Sequence, residues 1–344
     1  MSSSRDRPIE PGRRPNAAEM ALAKLSGQLA RLAGGGGTSV PGKLLLRFEP
    51  RAVGELGRRL SDGSVLISAT NGKTTTSAMG AAILRANGMR LVHNSAGANM
   101  AGGIASALIE AALPGGAISG ELGLFEVDEM WLDALVAELE PRLIVLGNLL
   151  RDQLDRYGEL ESIAERWRTA LAGGPGARAG LVLCADDPVV AGLGAGRPAV
   201  LHYGVEDDSL SLPELAHAAD AKHCRRCGAP YVFDAVYMAH LGHYHCAACG
   251  AERPAPQVIA TDVTLEGVSG ARFTLRTPAG EAPVALPLPG LYNVYNALAA
   301  AAMGHALDVP LGVTVGALEG MQPAVGRAQS ARVHGREVRV MLVK

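Results

Sequence analysis

Residues 65–76 read Val-Leu-Ile-Ser-Ala-Thr-Asn-Gly-Lys-Thr-Thr-Thr, an apolar run, a tight turn holding one glycine, and the opening of a helix. Few folds accommodate that order, because the strand must end at a sheet edge and pass directly into a helix lying on the sheet. In such a unit the backbone N–H groups of the helix N-terminus face an anion, and the helix dipole adds to the attraction. Lys73 then reaches the terminal phosphates of a nucleoside triphosphate, and the Thr74 hydroxyl holds Mg²⁺. The strict consensus carries a glycine at position 67, where this chain has Ile67, so the match reduces to Gly72-Lys73-Thr74. Context carries the assignment. A strand precedes the turn and a helix follows it. Lysine is also scarce: Lys24, Lys43, Lys73, Lys222 and Lys344 are the only ones, and arginine supplies the rest of the 32 basic residues. ATP or GTP is the expected ligand.

From Ser64 onward short apolar runs alternate with helix-length segments: Val65–Ser68, Thr75–Ala86, Leu122–Val127, Leu143–Leu146, Ile163–Leu171 and Leu181–Cys184. That alternation predicts an α/β fold, a parallel sheet flanked by helices. Between Gln257 and Leu288 the texture changes to alternating β-type residues with turn signals, which predicts a small antiparallel β section. Helices are expected again at Asn296–Leu307 and Leu311–Gly320. Upstream, a charged polar tail is followed by a helical pattern over Ala17–Leu32 that stops at the glycines Gly34 to Gly37. At 344 residues, 48% hydrophobic and 19% charged, the chain can bury one large or two modest cores. A net charge of −2 supplies no broad positive field, which argues against nucleic acid as a partner. The tail lacks the apolar stretch of a secretory signal, and no run approaches the roughly 20 apolar residues of a membrane span. A cytoplasmic protein without a transmembrane segment is expected.

Two further polar clusters follow predicted strands. Leu124-Phe125-Glu126-Val127-Asp128-Glu129 puts carboxylates at the C-terminal end of an apolar strand, the edge where open α/β sheets bind ligands. Mg²⁺ takes one or two such carboxylates together with phosphate oxygens and water. Asn148-Leu149-Leu150-Arg151-Asp152-Gln153-Leu154-Asp155 follows the strand Leu143 to Gly147. With the Gly72 turn, the three clusters are expected to converge on one crevice.

Four of the five cysteines form two C-x2-C pairs, Cys224 with Cys227 and Cys246 with Cys249, each pair followed by a glycine, Gly228 or Gly250. Four soft thiolates at this spacing predict a closed tetrahedral Zn²⁺ site in a reducing compartment, structural because no position is left for water. The metal would contribute on the order of 10 kcal/mol to the folding of a small insertion, about residues 220–256. His243 and His245 lie nearby, but four cysteines already complete the site. Cys184 stands alone in an apolar strand pattern and is expected in the core.

Together these residues resemble the central ATPase domain of the Mur ligases. The resemblance rests on Thr70-Asn71-Gly72-Lys73-Thr74, the Asn94 to Met100 stretch, Glu126, Asn148 with Asp152 and Asp155, Ala185-Asp186-Asp187-Pro188, Leu291 to Ala300, and Gly326-Arg327, in that order. Gly-Ala-Asn-Met at 97–100, Arg-Asp-Gln-Leu-Asp-Arg-Tyr-Gly at 151–158 and the four-cysteine insertion narrow it to one branch. That branch is the ligase-like subunit of lipid II isoglutaminyl synthase, which works with a GatD-type glutaminase. The likeness runs from about Pro41 to the end. It implies that Thr70, Asn71, Gly72, Lys73, Thr74 and Thr75 bind the triphosphate of ATP, with Thr74 and Glu126 around Mg²⁺. It also implies that Asn293 and Asn296 contact adenine and that Arg327 sits near the phosphates, so that Lys73, Glu126 and Arg327 serve catalysis. The implied reaction is peptidoglycan synthesis at the inner membrane face: ATP phosphorylates the α-carboxyl of D-glutamate in the lipid II stem peptide. Glutamine-derived ammonia then gives D-isoglutamine.

Several positions depart from the pattern. Ala69 replaces a common glycine and Gln153 a common metal-binding histidine. Between Asp152 and Lys222 there is no lysine to carry the carbamate that many peptide-forming relatives use, and arginine cannot substitute. Residues 1–40 are expected as a tail and helix, 41–344 as the ATPase domain with its ribbon insertion, and the C-terminal domain of the branch is expected to be absent after Val338 to Lys344. Two other readings remain open: a nucleotide- and zinc-binding module without turnover, and a Mur-type ligase that adds an amino acid to a soluble substrate.

Overall fold

The computed structural model describes residues 39–94, 98–113, 116–151, 159–215, 220–322, 328–333 and 336–341. The expected helix at Ala17–Leu32 lies outside them. Two helices, α1 (Val40–Phe48) and α2 (Ala52–Gly57), lead into β1 (Ser64–Ser68), α3 (Lys73–Ala86), β2 (Leu91–His93), α4 (Ala101–Ala111), β3 (Leu122–Glu126), α5 (Leu132–Leu139) and β4 (Leu143–Leu146). Next come α6 (Glu159–Ala172), α7 (Gly174–Arg178), β5 (Gly180–Cys184), α8 (Pro188–Gly192) and β6 (Val200–Val205). A hairpin of β7 (Val232–Met238) and β8 (Leu241–His245) interrupts the alternation. The chain resumes with β9 (Val258–Leu265), β10 (Ala271–Thr277), β11 (Gly280–Leu286), α9 (Leu291–Ala306) and α10 (Leu311–Glu319), and a hairpin of β12 (Ala328–Val333) and β13 (Arg336–Met341) follows.

Nine strands form one sheet in the order β11-β10-β9-β6-β5-β4-β1-β3-β2. From β2 to β9 every neighbouring pair is parallel, as in Ile67 opposite Glu126 on one side and Val145 on the other. Every residue of β1, β3 and β4 is buried, which is why these strands read as continuous apolar runs rather than alternating ones. Helices α3, α9 and α10 pack together on the sheet, and α1, α2 and α4 to α7 make a second packed group. Helix α9 is buried from Asn293 to Gly304, its alanines letting it lie close against α3 and the sheet. Because β1 lies between β3 and β4, the chain reverses its winding there, and the strand order creates a crevice at their C-terminal ends.

The antiparallel section belongs to this sheet rather than standing apart. Strand β9 pairs parallel with β6, Gly204 opposite Ile259, and only β10 and β11 run antiparallel beyond it. Their alternating burial, inward at Ala271, Phe273 and Leu275, shows one face on the core and one in water. Cys184 is buried at the end of β5, as expected, with its thiol pushed well up, chiefly by burial.

Candidate functional site

The turn after β1 makes α3 begin without a side-chain cap. Gly72 precedes it at φ 86°, a left-handed conformation that glycine adopts freely. Space enforces the same choice: a Cβ on Gly72 would lie 2.1 Å from Asn296 Oδ1. The first-turn N–H groups of α3 therefore open toward the crevice, with Gly72 to Thr75 half-buried and Asn71 exposed. Lys73 Nζ donates to the carbonyls of Ala69 and Thr70 and, at 2.7 Å, to Glu129 Oε2. The Thr74 hydroxyl donates to Glu126 Oε1 at 3.1 Å. Adjacent oxygens around an octahedral Mg²⁺ with bonds of 2.0–2.1 Å lie about 3 Å apart, so this pair fits the ion as two of its ligands.

The strand ends hold these groups by long-range pairing. Asn94, after β2, accepts from the Glu126 N–H at 2.9 Å and donates to the Glu126 carbonyl at 2.8 Å, fixing the backbone that carries the buried carboxylate. Asn148, after β4, does the same for the turn before α3. Its side chain accepts from Asn71 N at 2.9 Å and donates to Asn71 O at 3.0 Å, while its carbonyl takes the Thr70 N–H. Asn296 accepts from Thr76 Oγ1 and donates to Asn293, which donates to the Pro289 carbonyl. The three predicted clusters do meet, through the contacts of Lys73 and Thr74 with Glu129 and Glu126 and of Asn71 with Asn148, and a cavity bounded by Asn71, Gly147, Asn148, Tyr203, Leu241 and Asn296 lies beside the turn. Arg327, Asp152, Gln153 and Asp155 lie outside the described residues. Sequence reasoning gives no ground for preferring Glu129 to Asp128 as the partner of Lys73, since both follow the same strand.

Beside the turn, Asp186 and Asp187 are wholly buried. Asp187 accepts from the amides of Leu149, Val189 and Val190. Asp186 accepts from Val205 N, from Tyr295 OH at 2.6 Å and from Arg253 Nε at 2.7 Å. Burial pushes its carboxyl up, against the pull of Arg253, Tyr295 and the Val205 amide. Arg253 also pairs with Glu206 at 2.6 Å, joining the segment after the ribbon to the sheet.

In the ribbon the four Sγ atoms lie within 4.8 Å of one another, with Cys224 to Cys249 at 3.6 Å and Cys227 to Cys246 at 3.5 Å. Those separations exceed a disulfide bond and suit a tetrahedron of Zn–S bonds near 2.3 Å, whose edges are about 3.8 Å. The two knuckles match: Gly228 and Gly250 adopt φ 78° and 70°, and their N–H groups donate to the carbonyls of Cys224 and Cys246. Burial pushes the Cys224 thiol up, but the amides of Arg226 and Cys227 outweigh it and draw it down to about 6, favouring the metal-binding thiolate. His245 pairs with Asp234, and His243 contacts Tyr237 and the Val205 carbonyl, so neither approaches as a ligand. Tyr231, Phe233 and Tyr244 pack against one another in T-shaped and tilted contacts as the ribbon's own small core.

A glycine turn opening a helix at a sheet switch point, backed by a strand-end carboxylate, is the arrangement of an α/β class of ligases, and the Mur ligase middle domain matches residues 67–304. The chain belongs to the Mur ligase family. It is 30% identical over 323 residues to the MurT subunit of lipid II isoglutaminyl synthase from Staphylococcus aureus strain N315, covering 94% of this chain and 70% of that protein. Against MurT of Streptococcus pneumoniae the identity is 28%, covering 92% and 68%. Among solved structures, a pseudomurein peptide ligase type C from Methanothermus fervidus superposes with a TM-score of 0.67 at 26% identity. The match covers 87% of this chain, which spans 58% of that one. MurF of Thermotoga maritima shares the fold, with a TM-score of 0.56 at 15% identity. Among the described residues no helix is long and apolar enough to cross a membrane.

Proposed function

We propose that this chain is the ATP-using subunit of an amidoligase of cell-wall synthesis, its ATPase domain spanning residues 41–344 with the ribbon inserted at about 220–256. The γ-phosphoryl group of ATP passes to an α-carboxylate oxygen of D-glutamate in the lipid II stem peptide; the bond to the β-phosphate breaks and ADP leaves. Ammonia, released from glutamine by a GatD-like glutaminase, attacks the acyl carbon and loses its proton. Phosphate departs, leaving D-isoglutamine. The observation that carries this reading is the meeting of Lys73, Thr74 and Glu126 at the mouth of an uncapped helix, in a chain whose relatives are MurT subunits. Bound Mg²⁺, held by Thr74 and Glu126, supplies charge neutralisation at the phosphates. Lys73 leaves Glu129 for the phosphates, the α3 amides orient them, and Asn293, Asn296 and Arg327 complete the nucleotide contacts. Zn²⁺ on the four cysteines is structural. The reaction takes place in the cytoplasm, at the inner membrane face where lipid II is presented.

Incubation with a GatD-like glutaminase, lipid II, glutamine and ATP tests the proposal. Amidated lipid II is expected. Nucleotide binding without turnover would favour a binding module, and incorporation of a free amino acid a peptide-forming ligase. Lys73→Ala is expected to weaken Mg·ATP binding by at least about 100-fold in calorimetry, because it removes a charge-assisted contact to the terminal phosphates. Unchanged affinity would overturn the phosphate assignment.

A further inference from the structure

A hairpin apex normally faces water, but the apex of the ribbon hairpin does not. His240, Leu241 and Gly242 are buried, His240 completely, while two of the cysteines, Cys227 and Cys249, lie at the more exposed outer end. Ala239 turns the corner at φ 52°, a conformation costing a non-glycine residue about 1 kcal/mol or more. The Gly242 N–H donates to the Asp186 carbonyl at 3.0 Å, and Leu241 forms part of the cavity wall beside Asn71, Asn148 and Asn296. The ribbon is thus wedged tip-first into the edge that carries the phosphate turn.

An imidazole is an expensive occupant for a dry apex, since an apolar side chain would fill the space without leaving ring nitrogens short of partners. Neither ring nitrogen of His240 has a hydrogen-bond partner among the described residues. Nε2 lies 3.3 Å from Asp187 Oδ2, the oxygen that accepts the Leu149 N–H. Leu149 directly follows Asn148, whose side chain brackets Asn71. From the ribbon tip to the phosphate turn there is one continuous run: His240, Asp187, Leu149, Asn148, Asn71.

We propose that His240 is a positioning residue for the phosphate turn, acting through Asp187, so that the zinc-stapled hairpin sets the geometry of the nucleotide edge. The inference rests on the nucleotide reading of that edge. In its Nε2–H form the ring holds that N–H in polar contact with Asp187 Oδ2, short of hydrogen-bond alignment, and the carboxylate in turn holds the Leu149 amide and the loop behind it. His240→Leu fills the same space and removes the N–H; His240→Gln keeps an N–H within reach.

Calorimetry of Mg·ATP on the full chain, with urea midpoints for each variant, separates positioning from packing. His240→Leu is expected to keep or raise stability yet weaken affinity about 10-fold. His240→Gln is expected to return to within about 3-fold of the unmodified protein. In the background of Asn148→Ala, which has already cut the run, His240→Leu is expected to add nothing. Equal affinity for His240→Leu and the unmodified chain, or a Gln variant as weak as Leu, would overturn the proposal. If the unmodified chain binds no Mg·ATP, the nucleotide reading fails. Amide exchange at Asn71 to Thr74 then decides the positioning claim: faster exchange in His240→Leu, restored by Gln, supports it, and unchanged exchange overturns it.

Discussion

The phosphate edge and the ribbon solve the same problem, holding a few polar atoms in fixed positions, by opposite means. At the edge the paired groups are far apart in the chain. Thr74 meets Glu126 across 52 residues, Asn71 meets Asn148 across 77 and Thr76 meets Asn296 across 220. Each lies on, or just beyond, a buried strand of the nine-stranded sheet or a helix packed on it, so rigidity comes from the core and no metal is needed for it. The ribbon draws its four thiols from residues 224–249, and around them its own core is little more than three aromatic rings, while Ala235, Tyr237 and Leu241 of its hairpin pack into the main core. Such a unit buries too little surface to offset its chain entropy and needs a covalent or metal staple. The contrast therefore predicts that stability is a global property at the edge and a local, metal-dependent one in the ribbon.

The largest effect follows directly. Removal of zinc by a strong chelator, or Cys224→Ser, is expected to forfeit on the order of 10 kcal/mol of binding free energy that the ribbon uses to fold. Metal content should fall from one ion per chain to none. Amide protection should vanish across residues 222–250 while β1 to β6 stay protected. Loss of protection throughout the sheet would break the comparison, because the ribbon would then be part of the global core.

Arg253 tests the joint between the two regions. It pairs with the wholly buried Asp186 and with Glu206, and it is itself only 10% exposed. Arg253→Met leaves the Asp186 carboxyl without its cation in a dry site, which is expected to lower stability by about 3–5 kcal/mol. The companion Asp186→Asn in the same background should recover part of that loss, since the uncompensated charge has gone. A urea-midpoint change equivalent to less than about 1 kcal/mol would mean that solvent reaches Asp186 and the joint is loose.

The two regions were also unequally legible in the sequence. The ribbon announces itself, because C-x2-C pairs followed by glycine fix both the ligands and the knuckle turns within a few residues of chain. The parallel strands are nearly as clear: buried on both faces, they must be largely apolar, as Val65 to Ile67 and Leu143 to Leu146 are. The Gly72 turn, Glu126 and Asn148 could be placed together because strand ends at a switch point converge by topology. What topology cannot convey is side-chain partnership at one edge. That Lys73 pairs with Glu129, that Asn94 brackets Glu126, and that the ribbon enters tip-first at Asp187 depend on packing between distant segments. The continuation of the sheet through β9 escaped for a related reason. Alternation reveals one exposed face but not which strand stands beside it.

Acid provides the smallest test and the finest one. His93, at the end of β2, shares a 2.7 Å hydrogen bond between Nε2 and Ser77 Oγ of α3, and its Nδ1 has no hydrogen-bond partner among the described residues. Burial, aided by the nearby Arg85 charge, lowers its pKa from 6.5 to about 4. Between those values the unfolded chain binds a proton that the folded chain refuses, so stability is complete above pH 6.5 and declines as pH falls toward 4. At pH 5 the loss from this one ring is at most about 2 kcal/mol, less to the degree that solvent reaches it. His93→Asn should remove that share of the pH dependence while leaving stability at pH 7.5 within about 1 kcal/mol of its starting value. Chemical denaturation at pH 5 and pH 7.5, with zinc followed by a metallochromic dye, resolves the two regions. The sheet should weaken at pH 5 before zinc is released; because burial also lowers His202 of β6 to about 4, part of the slope should remain in His93→Asn, and an undiminished slope would place the acid-sensitive group elsewhere in the molecule.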